Sequence, residues 1–219
     1  MLPGERYLRV ESDLMAVNLT RIYTRTGDGG ETRLGDMSTT SKTDPRLAAY
    51  GDVDEANSTL GVVIAEGHLN ATLIRLLTRI QNDMFDVGAD LSTPVSENPE
   101  HPPLRITQEY VDRLEGWCDE YNERLSKLRS FVLPGGTTGS AYLHVARTVV
   151  RRAERAAWAA VETHGPTVNL LAITYLNRLS DLLFILARVA NLSSGGDVLW
   201  IPGGERDPLN KPAPHPSGG

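Results

Sequence analysis

From Pro45 to Leu192 the apolar residues return at three- and four-residue steps in five successive segments, and almost nowhere alternate as they would along a strand. That pattern points to an all-α fold. The first segment, Pro45 to His68, has Thr43 or Asp44 as its cap and a proline in the first turn, where a missing N–H costs nothing. The second, Ala71 to Ser92, carries Leu73, Ile74, Leu77, Ile80, Met84, Phe85 and Val87 as an apolar stripe. A proline-rich break, Pro94 to Pro103, precedes the third, which starts near Thr107 and places Tyr110, Val111, Leu114, Trp117, Tyr121 and Leu125 at helical spacing. The fourth covers Gly139 to Thr163. The fifth, Val168 to Leu192, is apolar nearly all round and is expected to be the central helix. Ser130 to Leu133 and Val198 to Ile201 are short, isolated strand signals. Mostly short connections between five helices predict an up-and-down bundle.

The chain of 219 residues accommodates one such domain, placed at 18–193. Residues 1–17 read as a flexible extension, with Met15 an alternative start to Met1. Residues 194–219 read as a tail whose Pro-, Gly- and Ser-rich end, from Gly203, is expected to be disordered. The most apolar run, Leu182 to Ala187, is six residues long and closed by Asp181 and Arg188, so no membrane span is expected. Met1 to Leu14 lacks an apolar secretory core. The lone Cys118 leaves no intrachain disulfide and no multi-cysteine zinc site, and it reads as structural. A cytoplasmic protein is the expectation. With a net charge of −6, nothing global draws the chain to nucleic acid, so any bound anion must be held by a local basic cluster.

The fourth segment supplies one. Leu143, Ala146, Val150, Ala153 and Ala157 form one apolar stripe and Val145, Val149 and Ala156 another, while His144, Arg147, Arg151, Glu154 and Arg155 run beside them. Arginine suits bidentate contact with phosphate or carboxylate. A solvated face with internal ion pairs, such as Arg151 with Glu154, would read the same way. The fifth segment adds Asn177 and Asp181 on one face, with Arg178 and Arg188 nearby, and the first adds Asp54, Asn57, Ser58 and Gly61. Polar groups at core positions must find partners in each other, in a ligand or in a second subunit, because an unpaired one costs roughly 1–3 kcal/mol.

Two loops have phosphate-binding composition. Residues 18–43 contain Thr24 to Thr32, dense in glycine and hydroxyls and followed by Lys42, but no Walker A motif. Pro134 to Ser140 leads directly into the arginine segment and is equally well read as ordinary capping. His68, His101, His164 and His215 lack metal-ligand spacing and are expected to be exposed. No Glu-x-x-His pair supports a di-iron bundle.

Six blocks in this order carry a family resemblance: Tyr23 to Asp28, Ala49 to Glu55 with Asn57, Phe131 to Gly136, His144 to Arg147, Arg151 to Arg155, and Tyr175 to Asp181. From Ile22 to Arg188 the chain resembles the PduO-type ATP:cob(I)alamin adenosyltransferases. The resemblance implies transfer of the 5′-deoxyadenosyl group of ATP to the cobalt of cob(I)alamin, leaving triphosphate. It implies a five-helix bundle of the ferritin-like type, assembled as a homotrimer with active sites between subunits.

Carried over residue by residue, ATP would meet Thr24, Arg25, Thr26, Gly27, Thr32, Arg33 and Lys42 from the loop. Arg151, Arg152, Ala153, Glu154, Arg155 and Asn177 would complete the site. Catalysis would rest on Arg151, Arg155, Lys42 and Glu154, with Mg2+ held mainly by the phosphates rather than by a dedicated protein site. Phe131, otherwise a plain core aromatic, would fill the face vacated by cobalamin's lower ligand. Asp54 and Arg147 would pair between subunits. A cobalamin reductase and an adenosylcobalamin-dependent mutase are the implied protein partners. Two departures stand out: Ser38 to Ser41 hold no arginine ahead of Lys42, and Ala56 replaces a common leucine. The rival readings are a delivery protein that binds adenosylcobalamin without making it, and another ATP-using phosphotransferase or ATPase.

Overall fold

The computed structural model describes residues 23, 25–99 and 101–203. The proposed extension at 1–17, Thr24 and the tail beyond 203 lie outside the described residues. Among those described are five α-helices: α1 (Pro45–Glu66), α2 (Ala71–Ser92), α3 (Gln108–Asn122), α4 (Thr138–His164) and α5 (Leu170–Asn191). The expected α2 bounds coincide with the structure. The others shift by one to three residues, at caps with specific partners. Asp44, not Thr43, caps α1 by accepting from the Arg46 N–H. Asn70, Thr137 and Asn169 cap α2, α4 and α5 in the same way.

The core forms where the apolar stripes meet. α1 lies along α4, α4 along α5, and α2 and α3 pack on α1 and α5 respectively. Leu60, Leu77, Ile80, Leu114, Leu143, Leu176, Leu179 and Leu183 are all fully buried. Truncating such a leucine to alanine costs roughly 2–5 kcal/mol, because the cavity it leaves collapses only in part. α5 with its short extension, Leu170–Ser194, is long and apolar enough to cross a membrane, yet 56% of its apolar 18-residue stretch is buried inside the fold, in keeping with the central place expected of it.

α1 and α4 run antiparallel. At one end the start of α4 meets the end of α1 at a glycine pair: a Cβ on Gly139 would sit 2.6 Å from the Gly67 carbonyl oxygen. At the other end His164 of α4 meets Asp44 of α1.

Four expectations are corrected. The polar segment before α1, read as a loop, contains a short hairpin in which β1 (Glu31–Arg33) pairs antiparallel with β2 (Thr39–Ser41). The two isolated strand signals find each other through a Val132–Leu199 bridge, so the chain just past 193 packs back on the domain. Its bonds run from the Leu133 N–H to the Val198 carbonyl and from the Trp200 N–H to the Phe131 carbonyl. His164 is half-buried, not exposed. His144 leaves the arginine face and is buried edge-on to Phe184.

Candidate functional site

The glycine- and threonine-rich segment folds as a hairpin at the end of the molecule where α1 begins. Its outer bonds run from the Lys42 N–H to the Gly30 carbonyl and from the Gly35 N–H to the Ser92 carbonyl at the end of α2. Lys42 Nζ is held over the glycine turn, 2.9 Å from where a Cβ on Gly27 would lie. A cavity of about 370 Å3 opens beside it, lined by Thr32, Lys42, Thr43, Asp44, Leu47, Ala48 and Tyr50. Arg25 stacks near Tyr23, and Arg33 sits at the exposed end of β1. Burial alone would raise the Asp44 carboxyl, but the Arg46 N–H, His164 and Thr40 hold it below its ordinary value.

On α4 the charged residues part into three groups. Arg152 turns to α1, where it pairs with Glu55 and lies 3.5 Å from Asp52. Glu154 accepts from the Asn177 side chain at 3.0 Å, and the Arg151–Glu154 ion pair that the alternative reading of this face offered is not formed. Arg147, Arg151 and Arg155, one helical turn apart, form no salt bridge among the described residues. Arg155 instead donates to the Arg151 carbonyl at 3.1 Å. Burial, then the charge of Arg151, pulls the Arg147 guanidinium below its ordinary value, and its Nε is buried without a hydrogen-bond partner. Asp54 lies exposed on α1. The side chain of Ala153 points into the core, fully buried, so only its backbone can face a ligand.

The other polar stripes serve the fold. Asn57 and Gln81 exchange side-chain-to-backbone bonds between α1 and α2. Arg178 pairs with Glu115 of α3, and Arg188 with Asp197. The second glycine loop is a capping structure. Thr137 accepts from the Ser140 N–H, and Asn191 clasps Gly135 and Thr137. Gly136, at φ +104°, sits where a Cβ would strike the Asn191 side chain at 2.3 Å.

Phe131 is no core aromatic: 77% of it is exposed. It stands edge-on to Trp200, ring centres 5.9 Å apart, on the rim of a cavity of about 770 Å3 with Leu128, Ser130, Ile201 and Pro202. Sequence reasoning missed Trp200; only the pairing of 198–201 with 131–133 brings it there. This cavity lies toward the start of α4, and the hairpin lies at its far end. The 22 residues of α1 between those ends span about 33 Å. The structure therefore groups Lys42, Gly27 and Thr32 at one end, gathers the arginines along α4, and sets Phe131 apart from the hairpin.

Among the described residues no three histidine, cysteine or carboxylate side chains cluster closely enough to hold a metal ion. Cys118 is half-buried, and burial pushes its thiol up to about 11, which leaves it unreactive near neutrality.

A family model described as cobalamin adenosyltransferase matches residues 22–190. A corrinoid adenosyltransferase of Mycobacterium tuberculosis is 66% identical over 192 residues, covering 88% of this chain and 98% of that protein. The corrinoid adenosyltransferase of Bacillus subtilis is 41% identical over 184 residues, covering 81% and 91%. Among solved structures, a phenylalanine-to-alanine variant of a PduO-type ATP:corrinoid adenosyltransferase from Lactobacillus reuteri, complexed with cobalamin and ATP, superposes with a TM-score of 0.74. It is 38% identical and covers 82% of this chain and 99% of that one. An arginine-to-lysine variant of the same kind from that organism, complexed with ATP, matches at a TM-score of 0.74 and 37% identity, covering 83% and 100%.

Proposed function

The chain belongs to the cobalamin adenosyltransferase family, and on that premise we propose how its own residues move the 5′-deoxyadenosyl group of ATP to the cobalt of cob(I)alamin. Cobalt(I) is the nucleophile. Its electron pair forms the bond to the ribose 5′-carbon as the carbon–oxygen bond breaks. Triphosphate leaves with that bond's electrons and cobalt ends formally as cobalt(III). No side chain needs to attack, so the protein's work is alignment and the stabilisation of charge gathering on the leaving triphosphate.

The observation that carries the residue assignment is the row Arg147, Arg151 and Arg155, three guanidinium groups on one helix face without a carboxylate partner among the described residues. Arg151 and Arg155 meet the phosphates, with Lys42 closing from the hairpin. The hairpin contacts come from Arg25, Thr26, Gly27, Thr32 and Arg33, with Thr24 beside them in the sequence. Glu154, oriented by Asn177, accepts a hydrogen bond from the nucleotide sugar. Arg152 acts indirectly, bracing α4 against α1 through Glu55 and Asp52. Magnesium would be held mainly by the triphosphate oxygens rather than by a dedicated protein site, and would help neutralise the leaving group.

The unit that does this is the domain at 18–193, an up-and-down bundle of the ferritin-like type that forms a homotrimer. The hairpin and Phe131 lie toward opposite ends of α1, a helix about 33 Å long, which supports a site completed across subunits. Arg147, without a carboxylate partner among the described residues, pairs with Asp54 of a neighbour. Phe131, exposed on an apolar rim, covers the corrin face that the lower ligand leaves, which eases reduction of cobalt. A reductase then supplies cob(I)alamin, and a mutase takes the product, in the cytoplasm.

The test is anaerobic turnover with cob(I)alamin and Mg-ATP, following the visible spectrum and the phosphate product. Adenosylcobalamin with equimolar triphosphate is expected. ADP and phosphate would show a phosphotransferase instead, and bound cobalamin without turnover would show a delivery protein.

A further inference from the structure

Three parts of the molecule meet at one carboxylate. Asp44 Oδ1 accepts from the Arg46 N–H at 2.8 Å, which caps α1, and from His164 Nε2 in the last turn of α4 at 2.7 Å. Its Oδ2 accepts from Thr40 Oγ1 of β2 at 2.8 Å. The backbone repeats the connection, with the Asp44 N–H bonded to the Ser41 carbonyl. Nearby Arg46 also ties this end of α1 down, but its side-chain hydrogen bonds run to Leu91 and Thr167 rather than to the hairpin. Asp44 is thus the side chain through which β2 reaches α4, the helix that carries Arg151 and Arg155. Lys42 lies two residues away, so a shift of Asp44 moves Lys42 and the glycine turn together.

We propose that Asp44, with His164 and Thr40 as its partners, is a positioning residue that sets the nucleotide hairpin in register with the arginine face of α4. The proposal rests on the nucleotide role assigned to the hairpin above. Capping alone would need only the Arg46 N–H. The second oxygen on Thr40 and the imidazole from a helix 120 residues away serve no cap. A carboxylate with both oxygens engaged from three elements fixes their relative angle as well as their separation.

Asp44→Ser separates the roles, because serine caps a helix about as well as aspartate but is too short to reach β2 and α4. The variant is expected to keep its melting temperature within a few degrees and to raise the KM for ATP about ten-fold, with kcat changed less than about three-fold and the KM for cobalamin unmoved. Thr40→Val and His164→Gln leave the cap intact and decide the matter if Asp44→Ser does not fold; each should raise the ATP KM by a smaller factor. Combining Asp44→Ser with His164→Gln should add nothing further, since both act through one carboxylate.

Limited proteolysis of residues 25–43 without nucleotide reads the tether independently of ATP. Faster cleavage is expected in all three variants. Cleavage and ATP KM unchanged in folded Asp44→Ser and Thr40→Val protein would overturn the proposal. A hairpin that opens on substitution in a protein whose wild type binds no ATP would instead overturn the nucleotide reading on which it rests.

Discussion

Two clusters of charge in this small helical protein are built by opposite rules. Between α2, α3 and α5, the buried carboxylates are matched. Asp90, fully buried, accepts from Arg105 at 2.6 Å, from the Ile106 N–H at 2.7 Å and from Asn169 at 2.6 Å. Asp83, nearly as deep, meets Arg79, Arg113 and the Tyr175 hydroxyl. On the outer face of α4, Arg147, Arg151 and Arg155 have no carboxylate among the described residues, while the neighbouring Arg152 has two. The difference separates charge that holds the fold from charge kept for something outside the chain. A matched network leaves nothing for a ligand to gain, whereas an unmatched guanidinium gives an incoming anion its full attraction.

Substitutions should therefore act on different observables in the two clusters. The largest effect is expected at Asp90→Ala, which leaves the buried Ile106 N–H unpaired and takes the carboxylate from Arg105 and Asn169, which then keep only carbonyl partners. Urea unfolding should show a loss of roughly 3–5 kcal/mol, and a loss under about 1 kcal/mol would break the contrast from the matched side. On the proposed trimer, Arg147→Ala should leave the helicity of the chain intact while lowering both assembly, seen by sedimentation, and turnover. A fully active trimer would remove the Asp54 pairing. Asn57→Ala breaks a bond between α1 and α2 away from either cluster and should cost about 1 kcal/mol with unchanged turnover.

The smallest effect is a pH dependence. Burial, then the Arg147 charge, pushes His144 below its ordinary value of 6.5, against a smaller opposing pull from Asp197. The unfolded chain thus takes up a proton at His144 more readily than the folded one. Stability should fall as pH drops below 6.5, and His144→Leu should flatten that part of the curve. Equal slopes in the two proteins would show that His144 is not the group responsible.

Much of the arginine face is legible in the sequence, because residues at three- and four-residue steps share a side whatever the tertiary fold. Helix starts are legible in part: a cap beside Pro45 announces α1, whereas Asn169 falls inside the fifth segment as the sequence reads it, and α5 starts two residues later than Val168. The matched network is not. Its partners lie far apart, Asp90 with Asn169 and Arg46 with Thr167, and no local pattern joins them. The hairpin is hidden for the opposite reason, its strands of three residues being too short to alternate visibly. Trp200 escapes because its place is set by backbone bonds to a segment about seventy residues earlier. Asn57 reads from its spacing as part of a polar face, but spacing on one helix cannot say which neighbour covers it.

Arg151→Ala tests the central claim most directly, with unfolding and anaerobic adenosyl transfer measured on the same preparation. Stability within about 0.5 kcal/mol of wild type and turnover reduced roughly 100-fold or more are expected of a charge kept for the triphosphate. A variant that loses stability as Asp90→Ala does, or that turns over at the wild-type rate, would show that the two clusters obey the same rule.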